Sequence, residues 1–237
     1  MKMNEEFMRE IWYRIRYEIP WIGKLYEKLI GKKRLEKIHQ NQNKKLRAYG
    51  IEVIQNIEEI LPDLGVKFFI DFGSLWGMFR DKKLIDYDWD IDYSLIITEN
   101  FSWNNLETTL INNGYKKVKE WKLDGKITEQ CYELKGVRID FFGRWVCEDK
   151  MTGYTYGKAS KLKKYNEYNV YSISTPNFSD TIKLNIDNFT VTIPTNTEQY
   201  LSLIYGDNWM IPDPNCALGP AIHYLENKVG IRKFFYD

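Results

Sequence analysis

Cysteine and histidine are scarce in this 237-residue chain, and their scarcity removes several kinds of chemistry. Three cysteines, Cys131, Cys147 and Cys216, stand far apart with no metal-ligand spacing. They read as reduced thiols of a cytoplasmic protein, not as a disulfide framework or a zinc site. The two histidines, His39 and His223, cannot build a histidine metal centre, and no nucleophile elbow accompanies them to suggest a Ser-His-Asp triad. No apolar run approaches the ~18 residues that would span a bilayer, and no signal-peptide pattern is present. Net charge is only +1, which leaves the whole chain without a nucleic-acid footprint. Internal repeats and low-complexity linkers are missing too.

What is present describes a globular chain long enough for one large domain. Hydrophobic residues make up 43% and charged ones 28%, the proportions of a soluble fold. Aromatics reach 16%, with Tyr the commonest, which suits sugar or base stacking as well as a packed β-rich core. Charge is uneven: residues 1–50 hold 13 Lys/Arg against 6 Glu, and the remaining 187 hold 21 against 27 acids. The basic stretch reads as helices, one from Glu5 to Glu18 and a second up to Ile30. Two readings stay open for residues 1–45: a helical hairpin packed on the domain, or peripheral contact with an anionic membrane surface. A third helix from Asn41 to Ile60 carries Leu46, Ile51, Ile54, Ile57, Ile60 and Leu61 at helical spacing and ends at Pro62.

The informative stretch runs from Phe69 to Leu95. Val66–Phe72 reads as a short buried strand, Gly73-Ser74 breaks it, and Ser74 is placed to cap a short helix through Leu75, Trp76, Met78 and Phe79. Backbone N–H groups at such a helix start can bind phosphate oxygens. Asp88-Trp89-Asp90-Ile91-Asp92 follows. If Asp90–Ile97 is a strand, its period of two puts Asp90 and Asp92 on one face, with Asp88 just ahead. Clustered carboxylates repel unless a hard cation such as Mg²⁺ or Mn²⁺ offsets them. Isolated Asp-x-Asp pairs are also common in solvated loops, but these sit between the apolar runs Leu84-Ile85 and Leu95-Ile96-Ile97. The tripeptide Asp71-Phe72-Gly73 spells a kinase magnesium motif, yet the Gly-rich loop, strand lysine and H-R-D segment that should precede it are missing.

These residues resemble the LicD/fukutin-related family, whose G-[TS]-L-L-G-x-x-R and W-D-x-D-[IV]-D blocks stand here as Gly73–Arg80 and Tyr87–Asp92. Two further blocks recur: Ile139-Asp140-Phe141-Phe142, and Tyr205-Gly206-Asp207 leading to Pro212. Asp86 and Tyr87 depart from a usual Pro-Trp, Lys83 from a Gly, and Trp76 from a Leu. The resemblance implies a LicD-type CDP-alcohol phosphotransferase. Such an enzyme moves phosphocholine, ribitol phosphate or glycerol phosphate from a CDP-linked donor to a hydroxyl of a cell-surface glycan or glycolipid, in capsule, lipopolysaccharide or teichoic acid biosynthesis. It places the protein in the cytoplasm, at the inner face of the membrane if the basic segment binds lipid. Nucleotidyl transfer from a triphosphate to a small molecule, and a non-catalytic scaffold in glycan assembly, are the alternatives.

The expected fold is α+β: a nucleotidyltransferase-like mixed sheet flanked by helices in residues 46–237, preceded by the basic helical segment 1–45. Trp103–Asn113 reads as a helix stopped by Gly114, followed by a meander of strands Tyr115–Leu123, Ile127–Leu134 and Val137–Phe142. Asp140 sits mid-strand among aromatics, where an unpaired carboxylate is costly. It is either an ion-pair partner of a nearby lysine or a third carboxylate beside the acidic strand, and the resemblance favours the second. Thr152–Tyr171 reads as a Tyr/Lys-rich loop-and-strand region. A hairpin about Asp187-Asn188, a helix Glu198–Ile204 capped by Thr195, and a last helix near Pro220–Glu226 complete the reading. The site expectation is therefore Asp88, Asp90, Asp92 and Asp140 on magnesium or manganese, with Gly73, Ser74 and Arg80 on the donor phosphates.

Overall fold

The computed structural model describes residues 32–157, 166–211 and 219–235, together with Ile15 and Ile19. Most of the basic N-terminal stretch, the Lys-rich part of the Tyr/Lys-rich region and Pro212/Pro214 lie outside the described residues. Helix α1 (Lys32–Asp63) is followed by β1 (Phe68–Ile70), α2 (Phe72–Asp81), β2 (Asp90–Ile97) and α3 (Trp103–Asn112). Then come β3 (Lys116–Leu123), β4 (Lys126–Leu134), β5 (Val137–Cys147), β6 (Lys150–Gly157) and β7 (Glu167–Pro176). The hairpin β8 (Thr181–Ile186) and β9 (Phe189–Pro194), helix α4 (Thr197–Tyr205) and β10 (Ile222–Phe234) end the described chain.

Eight strands form one sheet in the order β1-β2-β5-β4-β3-β10-β7-β6, and β6 also pairs with the far end of β5 through Arg144–Cys147. That second pairing closes β5, β4, β3, β10, β7 and β6 into a six-stranded barrel. The expectation of a helix-flanked nucleotidyltransferase-like sheet is thus wrong: strand outweighs helix among the described residues, and most of the sheet curls onto itself. The physical reason lies in two segments. Residues 150–176 supply two full strands, β6 and β7, and residues 220–226, read as a helix, open a 13-residue strand between β3 and β7. Across the barrel, Trp121 of β3 stacks on Tyr156 of β6 with ring centroids 4.4 Å apart. These strands are not neighbours in the ring, so the contact spans its interior.

Beside the barrel, β2 runs parallel to β5 and antiparallel to β1. One face of this β1-β2-β5 region carries Ile91, Tyr93, Leu95, Ile139 and Phe141, all buried against Val53, Ile54, Ile57 and Leu61 of α1. Ile51 is exposed, contrary to the expected core face, and Val53 takes the buried place. The helix also starts earlier than the pattern suggested, runs unbroken through residues 45 and 46, and contains Pro62 in its last turn. Glu58, buried on α1, accepts from Tyr93 Oη, Thr192 N and Lys183 Nζ, which pins the β8–β9 hairpin to the same layer. No helix of the described residues is long and apolar enough to cross a membrane.

Candidate active site

The site begins at the turn from β1 into α2. Asp71, not Ser74, caps this helix: its Oδ1 accepts from Phe72 N at 2.7 Å, and the helix starts at Phe72. Ser74 lies in the first turn, fully buried, and its Oγ accepts from Asp92 N at 3.1 Å. Asp71 is itself fully buried and sits at the centre of a polar network. Arg144 Nη2 donates to its Oδ2 at 2.6 Å, and the Tyr200 hydroxyl donates to its Oδ1 at 2.8 Å. Ser94 Oγ donates to Asp71 while accepting from Arg144 Nε at 2.8 Å. This network joins α2, β2, β5 and α4, and it holds the helix start against the acidic strand.

Both glycines of the Gly73–Arg80 block answer to close approach. A Cβ on Gly73 would lie 2.5 Å from Asp88 Oδ2, and one on Gly77 would lie 2.5 Å from the Lys83 carbonyl oxygen. The first therefore brings a carboxylate, not an open phosphate pocket, against the start of α2. The second lets the chain return closely enough to enter β2.

On β2 the side chains alternate as the acidic spacing requires, with Asp90 and Asp92 half-buried on one face and Ile91 and Tyr93 buried on the other. The parallel register sets Asp92 opposite Asp140 and Asp90 opposite Arg138. Carboxylate oxygens of Asp90, Asp92 and Asp140 all lie within 4.8 Å of one another. Burial, then Asp140 and Asp88, pushes the Asp90 carboxyl well above the usual carboxylate range. Burial, then Asp90, Asp88, Asp140 and Asp71, does the same to Asp92. Asp88, half-buried, is raised mainly by burial. Asp140 Oδ1 is buried without a hydrogen-bond partner among the described residues. An orphaned oxygen in a cluster of acids that resist ionising together is the donor set a hard divalent cation takes.

Asp140 also satisfies the rival expectation, since Lys119 Nζ lies 3.3 Å from its Oδ2. The same ammonium reaches Glu129 at 3.7 Å. Burial pulls the Lys119 ammonium down, but Asp140, Cys131 and Glu129 outweigh it and raise its pKa. Glu129 is pushed up to about 8, mainly by burial. Neither Lys119 nor Glu129 was legible as a site residue. The only signal was a lysine and a glutamate placed where strands turn inward, and the barrel had to be known to see it.

Arg80 stays apart from the acidic cluster in its bonding. Its side chain is 8% exposed, it holds Asp81 through Nε at 2.9 Å and Nη2 at 2.5 Å, and its guanidinium lies 4.7 Å over the Trp76 ring. Its Nη1 has no partner among the described residues. Trp76 stacks in turn on Tyr205, whose ring centroid is 4.8 Å away, so the Tyr-Gly-Asp block does meet the first block in space. On the other flank, Asn43 Nδ2 of α1 donates to the carbonyls of Asp86 (2.9 Å) and Asp88 (2.6 Å). His39 stacks flat on Trp89, with centroids 4.1 Å apart and planes 6° apart. The contribution of α1 to this rim was not foreseen.

Residues 65–196 match the family described as LicD/FKTN/FKRP, nucleotidyltransferase domain. The chain is also 26% identical over 168 residues to "Ribitol-5-phosphate transferase FKTN" of Homo sapiens and of Macaca fascicularis, and 25% identical over 167 residues to that of Mus musculus. Those alignments cover 70% of this chain and 34% of each relative, so the chain spans about a third of their length. The matched segment takes in α2, the acidic strand β2 and Asp140 on β5 with more than half of the chain, and the protein belongs to the LicD/FKTN/FKRP family.

Proposed function

We propose that the protein transfers a phospho-alcohol from a CDP-linked donor to a hydroxyl of a glycan. The observation that carries this reading is the convergence of Asp90, Asp92 and Asp140 within 4.8 Å, on two paired strands inside the family segment. Those three, with Asp88 beside them, would hold magnesium or manganese, which would neutralise charge on the donor diphosphate. The protein's own work is positional. The β2–β5 register fixes two carboxylates opposite each other, the Ser74–Asp92 hydrogen bond locks the strand to α2, and Lys119 holds Asp140 Oδ2, which leaves Oδ1 without a partner among the described residues. Asp140 Oδ1 is the atom assigned to receive the acceptor hydroxyl proton as the new phosphorus–oxygen bond forms. The bond to the CMP oxygen breaks and CMP leaves. Arg80 Nη1, buried and without a partner among the described residues, is assigned to a donor phosphate.

The relatives are named as ribitol-5-phosphate transferases, so CDP-ribitol is the first donor to try, beside CDP-choline and CDP-glycerol. The test is CMP release from this set with a glycan acceptor, with and without Mg²⁺ or Mn²⁺. Metal-dependent CMP release with an acceptor mass gain of one phospho-alcohol is expected. An acceptor that gains a nucleotide from a triphosphate instead would overturn the reading.

A further inference from the structure

Among the described residues, most tryptophan rings are spent on packing. Trp76 and Trp121 are 4% and 5% exposed, with their faces covered by Tyr205 and Tyr156. Trp89 differs. It is 37% exposed, the most exposed tryptophan among the described residues, and stands between two of the acidic residues, Asp88 and Asp90. A large apolar ring at that place gains little from burial, yet it is held with care. His39 backs it in a near-parallel stack, and the backbone N–H of Trp89 donates to Asp88 Oδ1 at 3.0 Å. Asn43 grips the carbonyls on either side of Tyr87, and Arg47 Nη1 reaches Asp86 Oδ1 at 2.9 Å. A ring backed on one face and fixed in a braced loop has already lost the freedom that binding would otherwise cost.

We propose that Trp89, backed by His39, is the platform on which the nucleobase of the donor nucleotide stacks. The proposal rests on the nucleotide-linked donor reading above and adds where the nucleoside half lies. Stacking on an aromatic face needs no hydrogen-bond readout and is available to any base. The backbone N–H of Trp89 holds Asp88, whose carboxyl acts on Asp90, so a base on this ring would lie at the edge of the carboxylate cluster that takes its diphosphate. Arg138, opposite Asp90 in the β2–β5 register, adds a cation to the same wall; burial first, and then this cation, lowers the His39 pKa. Trp89 occupies the unspecified position of the acidic block, so the platform is a property of this chain.

The experiment is calorimetric titration of the full chain with CDP and, separately, with inorganic pyrophosphate, both in Mg²⁺. It compares wild type with Trp89→Phe, Trp89→Leu and His39→Ala. Trp89→Leu keeps apolar bulk against His39 without an aromatic face, and melting curves show whether each variant is folded. CDP affinity is expected to fall about tenfold or more in Trp89→Leu, less in His39→Ala, and to stay within about threefold of wild type in Trp89→Phe. Pyrophosphate binding should be the same throughout. Equal CDP affinity in Trp89→Leu and wild type would overturn the platform and leave the donor reading standing. Parallel loss of CDP and pyrophosphate would also overturn it, by making Trp89 a prop for the acidic strand. Wild type that binds no CDP would remove the donor reading and the platform together.

Discussion

At the scale of single residues, the acidic cluster is a set of groups that repel one another and are kept in place by their strands. Asp90→Asn, Asp92→Asn and Asp140→Asn should each reduce CMP release by roughly 10²-fold or more while the fold survives. Metal-free melting temperatures should rise for Asp90→Asn and Asp92→Asn, because each removes one charge from a crowded group. Asp140→Asn should gain less, since it also takes away the nearest anion of Lys119. Asp86→Asn is the control: its carboxylate is on the surface between Arg47 and Lys83, so turnover should stay near wild type. Turnover measured beside melting curves for the four variants decides it. An active Asp140→Asn beside a dead Asp86→Asn would mean the wrong carboxylate has been given the role.

Asp90 and Asp92 were legible because a period of two is a local property, readable from three consecutive residues. Asp140 could be guessed from the cost of a carboxylate among Phe141, Phe142 and Ile139, but its register opposite Asp92 is a fact of strand pairing. Lys119, Glu129 and His39 reach the site from strands and a helix distant in sequence, and no local pattern points to them. Ser74 was misjudged for a different reason. Asp71 was read as the end of a strand, although a carboxylate one residue before the helix is the better cap for its first N–H groups.

At the scale of elements, four of them meet at Asp71. Its carboxylate is shared by the start of α2, Ser94 on β2, Arg144 on β5 and Tyr200 on α4. Arg144 is 1% exposed, so removing the charge opposite it strands a guanidinium where water cannot reach. Asp71→Asn should therefore destabilise the fold by about 3–5 kcal/mol in urea unfolding. The double variant Asp71→Asn/Arg144→Met should recover most of that loss, because the pair is then replaced and not broken. A double variant no more stable than the single one would mean that the hydrogen bonds of Ser94 and Tyr200, and not the ion pair, hold the junction. Elements with a strong local pattern matched their expected spans to within a residue: β2, α3, β3, β4 and the β8–β9 hairpin, whereas β5 runs past the expected Phe142 to Cys147, the extension that pairs with β6. β6, β7 and β10 were missed or misread because alternation is weak in Tyr- and Lys-rich strands, whose inward and outward faces are both partly polar.

At the scale of the whole molecule, the acids bear on stability through pH. Asp88, Asp90, Asp92 and Glu129 all have folded-state pKa values raised above their ordinary range, with Glu129 at about 8. The folded chain thus binds protons more tightly than the unfolded one between about pH 4, where free carboxyls titrate, and about pH 8. Their contribution is fully present below that window and is lost as pH rises through it. In EDTA the melting temperature should fall across this range, and in saturating Mg²⁺ the fall should shrink or vanish, so that the two curves diverge as pH increases. Melting curves at five or six pH values in each condition test this. A gap that stays constant with pH would place the ion away from these acids.

The closing of β6 onto β5 has a consequence for how the protein meets other chains. An open sheet of eight strands would present two long rows of unpaired N–H and C=O groups, each a template for strand addition. Among the described residues, β6 is paired on both sides through Lys150–Gly153, and the strand at the sheet's other edge, β1, is three residues long. So short an edge offers an incoming strand very few backbone partners. At high concentration this sheet is therefore shielded from the edge-to-edge growth that turns exposed β-rich chains into fibres.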